Sequence, residues 1–259
     1  MSVHSLSSFS SDPYDAADHP VDHGNHRFRL RLLDGFQLEQ DGRLLQLPHS
    51  VRRLVAFLGI RGHSSRTEIA ATLWPAVPGP KAQASLRTVL WRLHRFTASQ
   101  VVTGRKTLAL VAAVDVDVQM FVTTVRRIVN DGDSPLDRST TPALPAFGEL
   151  LPGWYEDWVL VERERLSQLQ IRALEAIADR LTATGHYADA IEAALAAVRL
   201  EPLRESATRA LIVAHLAENN IVEAVRCLDT FRDNLATELG VRPTLELELL
   251  VQSCLIREA

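Results

Sequence analysis

Only two of the 259 residues are cysteines, Cys227 and Cys254, and neither stands in the CxxC spacing that a metal or redox site uses. Both fall in helical patterns, where a buried free thiol is the expected state. No apolar run reaches the ~18 residues of a membrane span. Residues 1–26 hold no Lys or Arg and no apolar block, so a secretory leader is not expected and the reading is a cytoplasmic, nucleoid-associated protein with no membrane partner. The signatures of catalysis are missing too: there is no GxxxxGK[ST] loop, no HExxH pair and no GxSxG elbow. An enzyme is therefore not expected, and no cofactor or metal is predicted. About 25 residues precede the first strand, against ~100 for a typical domain, so a receiver domain with its phosphorylated Asp is not expected.

What is present is divided by charge. From His26 to Leu110 there are 14 Lys or Arg against 4 Asp or Glu, a balance of +10; from Leu151 to Ala259 there are 11 against 18, a balance of −7. A split of this size under a formal net charge of −4 predicts that the front half meets a polyanion and the back half does not. Residues 1–25, rich in Ser, Asp and His, read as a disordered tail. His4, His19, His23 and His26 lie there among Asp12, Asp15, Asp18 and Asp22, but without a scaffold this composition makes no metal site.

The order of elements then becomes legible. Phe28, Leu30 and Leu32 alternate with Arg27, Arg29 and Arg31, which predicts a half-buried strand. Asp41-Gly42 between two short apolar runs predicts a hairpin. Val51, Leu54, Val55 and Leu58 mark a first helix. Ser65 and Glu68 form a capping box for a second, which buries Ile69 and Leu73 and is stopped by Pro75.

The third helix, Pro80 to Phe96, gathers Ala82, Leu86, Val89, Leu90, Leu93 and Phe96 on one side. Lys81, Ala84, Arg87, Thr88, Trp91 and Arg95 gather on the other, with no carboxylate in the helix. Phosphates demand cations and base edges demand donors, so this outer face suits the DNA major groove; the alternative is a solvated face that is merely basic. Two short strands around Gly104-Arg105-Lys106 complete the order of a winged helix, with Arg105 and Lys106 at the tip for a phosphate backbone or minor groove. Arg52 and Arg53 on the first helix are candidates for further backbone contacts.

Beyond Asp115 no strand is predicted. Asp115 and Asp117 read as helix-capping residues, Asp117 leading a helix with Met120, Phe121, Val125 and Ile128, and 131–145 reads as a loop. Glu162-Arg163-Glu164-Arg165 reads as a charged helix face. Gly185-His-Tyr-Ala-Asp-Ala-Ile and Asn219-Asn-Ile-Val-Glu-Ala-Val align at an offset of 34 residues, the tetratricopeptide period, with flanking helices over 154–183 and 243–256 completing the stack. The predicted fold is an α+β N-terminal winged helix followed by an all-α tetratricopeptide-like domain. Its parts are a tail over 1–25, a DNA-binding domain over 26–112 and a helical domain over 113–259.

Several of these stretches carry a family resemblance. Lys81-Ala-Gln-Ala-Ser-Leu-Arg-Thr-Val-Leu-Trp-Arg-Leu, Ile69 to Trp74, Glu162-Arg-Glu-Arg-Leu, Glu201-Pro-Leu-Arg-Glu and Leu239-Gly-Val-Arg-Pro together resemble the Streptomyces antibiotic regulatory protein (SARP) activators. Those proteins join an OmpR-type winged helix to a bacterial transcriptional activator domain (BTAD). The resemblance implies binding of double-stranded promoter DNA at direct repeats by two copies side by side, recruitment of RNA polymerase, and control of secondary-metabolite genes. Trp91 departs from the small polar residue usual at its place: it would stack on a sugar, contact a thymine methyl, or pack against a neighbouring subunit. The competing reading is an interaction scaffold whose winged helix no longer binds DNA.

Overall fold

The computed structural model describes residues 27–97, 101–130 and 148–257. The expected tail with its histidines and the expected loop over 131–145 lie outside them.

Alternation does build the first strand. In β1 (Phe28–Arg31) Phe28 and Leu30 are buried while Arg29 and Arg31 face out, flanking Glu39 at 4.0 and 3.9 Å. β2 (Gln37–Gln40) pairs antiparallel with β1, placing Leu30 opposite Leu38, and β3 (Arg43–Leu44) follows the Asp41-Gly42 turn. Both turn residues have positive φ, as the tight two-residue hairpin requires.

The helical part of the first unit follows the expected order. α1 (His49–Arg61) buries Val51, Leu54, Val55 and Leu58. After β4 (Ser64–Ser65), α2 (Arg66–Leu73) opens on its capping box, Ser65 Oγ accepting from the Glu68 amide at 3.1 Å. α3 (Gly79–Phe96) is followed by β5 (Val102–Thr103) and β6 (Thr107–Leu110), which with β4 form a three-stranded sheet of order β4-β6-β5. This is a winged helix.

One strand was not expected. β7 (Val114–Val116) pairs in parallel with β1, Leu30 opposite Val116, making the larger sheet β3-β2-β1-β7. Three residues carry too little periodicity to announce a strand, and the partner lies more than 80 residues away in sequence. The sheet of the first unit thus reaches past residue 112. Asp117 then begins α4 (Asp117–Asn130), and its carboxylate accepts from the amides of Leu32, Leu33 and Val118 at 2.7–3.1 Å. It both opens the helix and ties it to the end of β1. Burial pushes its pKa up, against the opposing pull of those amides and of Arg31. Met120, expected on the buried side, is exposed, while Phe121, Val125 and Ile128 are buried.

The rest is helical: α5 (Asp157–Ala183), α6 (Tyr187–Leu200), α7 (Glu205–Ala217), α8 (Ile221–Leu239) and α9 (Leu245–Arg257). The 34-residue repeat is reproduced bond for bond. His186 N donates to Leu181 O and Asn220 N to His215 O, both at 2.8 Å; Gly185 N donates to Thr182 O and Asn219 N to Leu216 O, both at 3.1 Å. Gly185 and Asn219 both adopt left-handed backbone, with φ of 80° and 62°, and Ala190 and Ala224 are fully buried where the helices meet. α9 packs on α7 and α8 and closes the stack.

The family-like motifs of this half prove to be joints. Arg204 bonds Glu175 Oε1 and Gln168 Oε1 of α5 at 2.8 and 2.9 Å, fixing the α6–α7 turn. Gly240 ends α8 in left-handed backbone, and Glu205 accepts from the amide of Thr244 just before α9 at 3.0 Å. The two thiols are free but half-buried rather than buried; burial and the charge of Glu223 push that of Cys227 up.

A single hydrophobic cluster runs from Phe28 and Leu30 through α1, α3 and α4 to Trp158, Leu166, Ile177 and Leu181 of α5. At its centre α1 lies so close to β1 that a Cβ built on Gly59 would sit 2.6 Å from Leu30 Cδ2 and 3.2 Å from Leu32 Cδ1. Gly59→Val is expected to lower stability by about 1–3 kcal/mol by overpacking, read as a lower denaturant midpoint at unchanged m-value.

Candidate nucleic-acid interface

α3 is held by its apolar side. Ala82, Leu86, Val89, Leu90 and Leu93 are buried, and Gln83 donates to the Arg66 carbonyl at 3.1 Å, locking α3 across α2. Phe96, expected on this side, is 44% exposed, because the helix ends there and the chain turns away at Thr97. Lys81, Ala84, Arg87, Thr88, Trp91 and Arg95 are all exposed. The structure brings them together on one outward face. Arg92 joins that face and was not singled out from the sequence, although its place four residues after Thr88 carried the signal.

Side-chain geometry refines the roles on this face. The guanidinium of Arg95 lies over the Trp91 ring, 4.9 Å from its centroid. The Thr88 hydroxyl donates to Ala84 O at 3.1 Å, a bond internal to the helix. The side chains of Lys81, Arg87 and Arg92 have neither a hydrogen bond nor an ion pair among the described residues.

The wing tip, with Arg105 and Lys106 exposed, is anchored to the start of α2. Arg66 Nε donates to Arg105 O at 2.6 Å and Arg66 N to Lys106 O at 3.2 Å. Arg66 is a positioning residue that sequence reasoning missed, since nothing local marks a partner 39 positions away. α3 and the wing tip together present cations with no carboxylate of their own.

Arg52 and Arg53 do not belong to this face. Arg52 Nε donates to Leu47 O at 2.7 Å, with its guanidinium 6.0 Å from the Phe36 ring. Arg53 donates to Leu73 O at 2.8 Å and lies 3.0 Å from Glu156. Both are structural: α1 uses them to hold its neighbours.

The charged face expected at Glu162-Arg163-Glu164-Arg165 is corrected as well. The Glu162 side chain is only 3% exposed, held by Arg61 of α1 at 3.2 Å and by Arg165 at 2.6 Å. Arg163 donates to the carbonyls of Leu150, Leu151 and Trp154 and pairs with Glu149 at 3.1 Å. The chain that Arg163 clasps pairs in turn with the end of β1, Leu151 N donating to Leu32 O at 2.8 Å and Asp34 N to Glu149 O at 2.9 Å. Trp158, Val159 and Leu166 share the buried stripe with Glu162, so its burial was readable from spacing; its partner Arg61 was not.

Three comparisons with known proteins bear on this arrangement. Residues 138–255 match the family described as the bacterial transcriptional activator domain. Regulatory protein AfsR of Streptomyces coelicolor is 28% identical over 214 residues, 79% of this chain and 22% of AfsR. A match of that length takes in part of the N-terminal unit as well as the helical one. The chain is thus similar to a SARP-type regulator, and its second half to the bacterial transcriptional activator domain. A solved structure of Mycobacterium tuberculosis EmbR in complex with a low affinity phosphopeptide shares the fold, with a TM-score of 0.75 at 20% identity over 90% of this chain and 66% of the other. The chain therefore spans about a fifth of AfsR and just under two thirds of that EmbR chain. Among the described residues no helix is long and apolar enough to cross a membrane.

The joint between the units has a testable weight. Glu162→Ala is expected to cost about 1–3 kcal/mol in urea unfolding, because Arg61 and Arg165 lose their shared acceptor, whereas exposed Glu164→Ala stays within about 0.5 kcal/mol.

Proposed function

We propose that this chain is a sequence-specific DNA-binding transcriptional activator that sets α3 in the major groove and the wing tip on an adjacent backbone or minor groove. The observation that carries the reading is the outward face of α3. Three cations without partners, an indole and a threonine stand on a helix without a carboxylate, and the opposite side is fixed in the core. Arg87 is the choice for a guanine, since a guanidinium can bond O6 and N7 together. Lys81, at the helix start, and Arg105 and Lys106, in the wing, are assigned to phosphates. Two copies side by side on direct repeats, recruitment of RNA polymerase and control of secondary-metabolite genes complete the proposal, supported by the likeness to the SARP activators. We divide the chain into a DNA-binding unit that begins near residue 26 and a helical unit that engages the transcription machinery. The acidic balance of the helical unit keeps it off DNA.

The test is selection from random duplexes by the full chain at low and near-physiological salt. The expected result is two direct half-sites about 10 or 21 bp apart, bound with a log affinity that falls by about 0.9 per phosphate contact against log salt. No enrichment and no salt slope would instead mark an interaction scaffold. On the selected site, Arg87→Ala is expected to cost roughly 1–3 kcal/mol and relax preference at one base pair, while Lys81→Ala weakens all sequences alike and reduces the salt slope by about one.

A further inference from the structure

Between its cations the outward face of α3 carries a strip with no charge. It consists of the Ala84 methyl, Thr88 one turn on, and the Trp91 ring, which is 56% exposed. Two contacts shape this strip. The Thr88 hydroxyl is turned onto the Ala84 carbonyl at 3.1 Å, which leaves its γ-methyl as the group presented outward. The Arg95 guanidinium lies over the indole, 4.9 Å from the ring centroid, which steadies the ring and places a cation at that end of the strip. The strip is thus a methyl, a methyl and an aromatic ring, bordered by Arg87, Arg92 and Arg95.

Such a strip is a poor partner for phosphates and for the hydrogen-bonding edges of bases. Its cationic border draws it onto DNA all the same, and the apolar group that DNA offers in the major groove is the 5-methyl of thymine. We infer that Ala84, Thr88 and Trp91 form a reader of thymine 5-methyl groups, so that the half-site contains one or two thymines recognised by their methyls alone. The inference rests on the reading that α3 lies in the major groove.

The experiment takes duplexes carrying the sequence selected by the full chain and replaces each thymine in turn by uracil, which deletes the methyl and keeps every hydrogen bond. Affinity is expected to fall about fourfold per recognised methyl. Trp91→Ala and Thr88→Ser should bind thymine and uracil duplexes equally at those positions. Thr88→Val, which keeps the methyl and loses the hydroxyl, should preserve the discrimination. Circular dichroism and melting of each variant establish that it is folded.

If no sequence is selected, the DNA-binding reading fails and this inference falls with it. If a sequence is selected and uracil is tolerated everywhere, the inference alone is overturned. It is overturned equally if the discrimination persists in Trp91→Ala and Thr88→Ser, or if Trp91→Ala separates the two copies on DNA while leaving the thymine-to-uracil ratio unchanged, which would place the ring between subunits.

Discussion

Glu162 is a carboxylate almost out of water, and the arginines that satisfy it come from two directions, Arg61 from α1 and Arg165 from its own helix. A buried carboxylate is costly unless its lone pairs are met, and Arg61 of α1 supplies the partner that Arg165 alone does not, which favours α5 beside α1. Around that contact the other joints fall into place. Arg163 clasps the carbonyls of the preceding turn, that turn pairs with the end of β1, and Trp154 and Trp158 lie against Phe36, His49 and Phe57. Helical domain and winged helix thus share one core, and the orientation of α3 relative to the repeat helices follows from it.

The electrostatic division of the chain has a structural counterpart. Acidic groups of the second half are largely spent on internal partners: Glu156 on Arg53, Glu162 on Arg61, Glu175 on Arg204 and Glu205 on Thr244. On α3, by contrast, the cations outnumber any partner. An internal ion pair has already spent its attraction, whereas the side chains of Lys81, Arg87 and Arg92 have no such pair among the described residues. That contrast, more than net charge, is what supports the proposal that this face binds a polyanion.

The two repeat units illustrate how different residues meet one backbone demand. Gly185 reaches left-handed φ without steric cost, and Asn219 reaches it as one of the few residues with a side chain that tolerate it. Asn220 adds a cap by accepting from the Glu223 amide at 3.4 Å, a bond for which His186 shows no counterpart. The replacement of a glycine at the second turn is therefore compensated within the next residue.

By itself the sequence determined most of what a local period can encode, with Phe96 and Met120, exposed on sides expected to be buried, as exceptions. This covers the buried and exposed faces of α3, the capping box at Ser65, the turn at Asp41-Gly42 and the 34-residue repeat, because neighbours along a helix or across a tight turn meet whatever the rest of the chain does. The exposed face of the candidate site was legible for the same reason. Only the tertiary structure decided the pairings of distant segments. It drew β7 beside β1, spent Arg52 and Arg53 on α1's neighbours, buried Glu162 against Arg61 and bound Arg66 to the tip of the wing. Within α3 it also settled side-chain rotamers that the helical period leaves open, laying Arg95 over Trp91 and turning the Thr88 hydroxyl inward. An arginine's charge is written in the sequence, but whether that charge faces solvent or a carbonyl depends on which segments the shared core brings together.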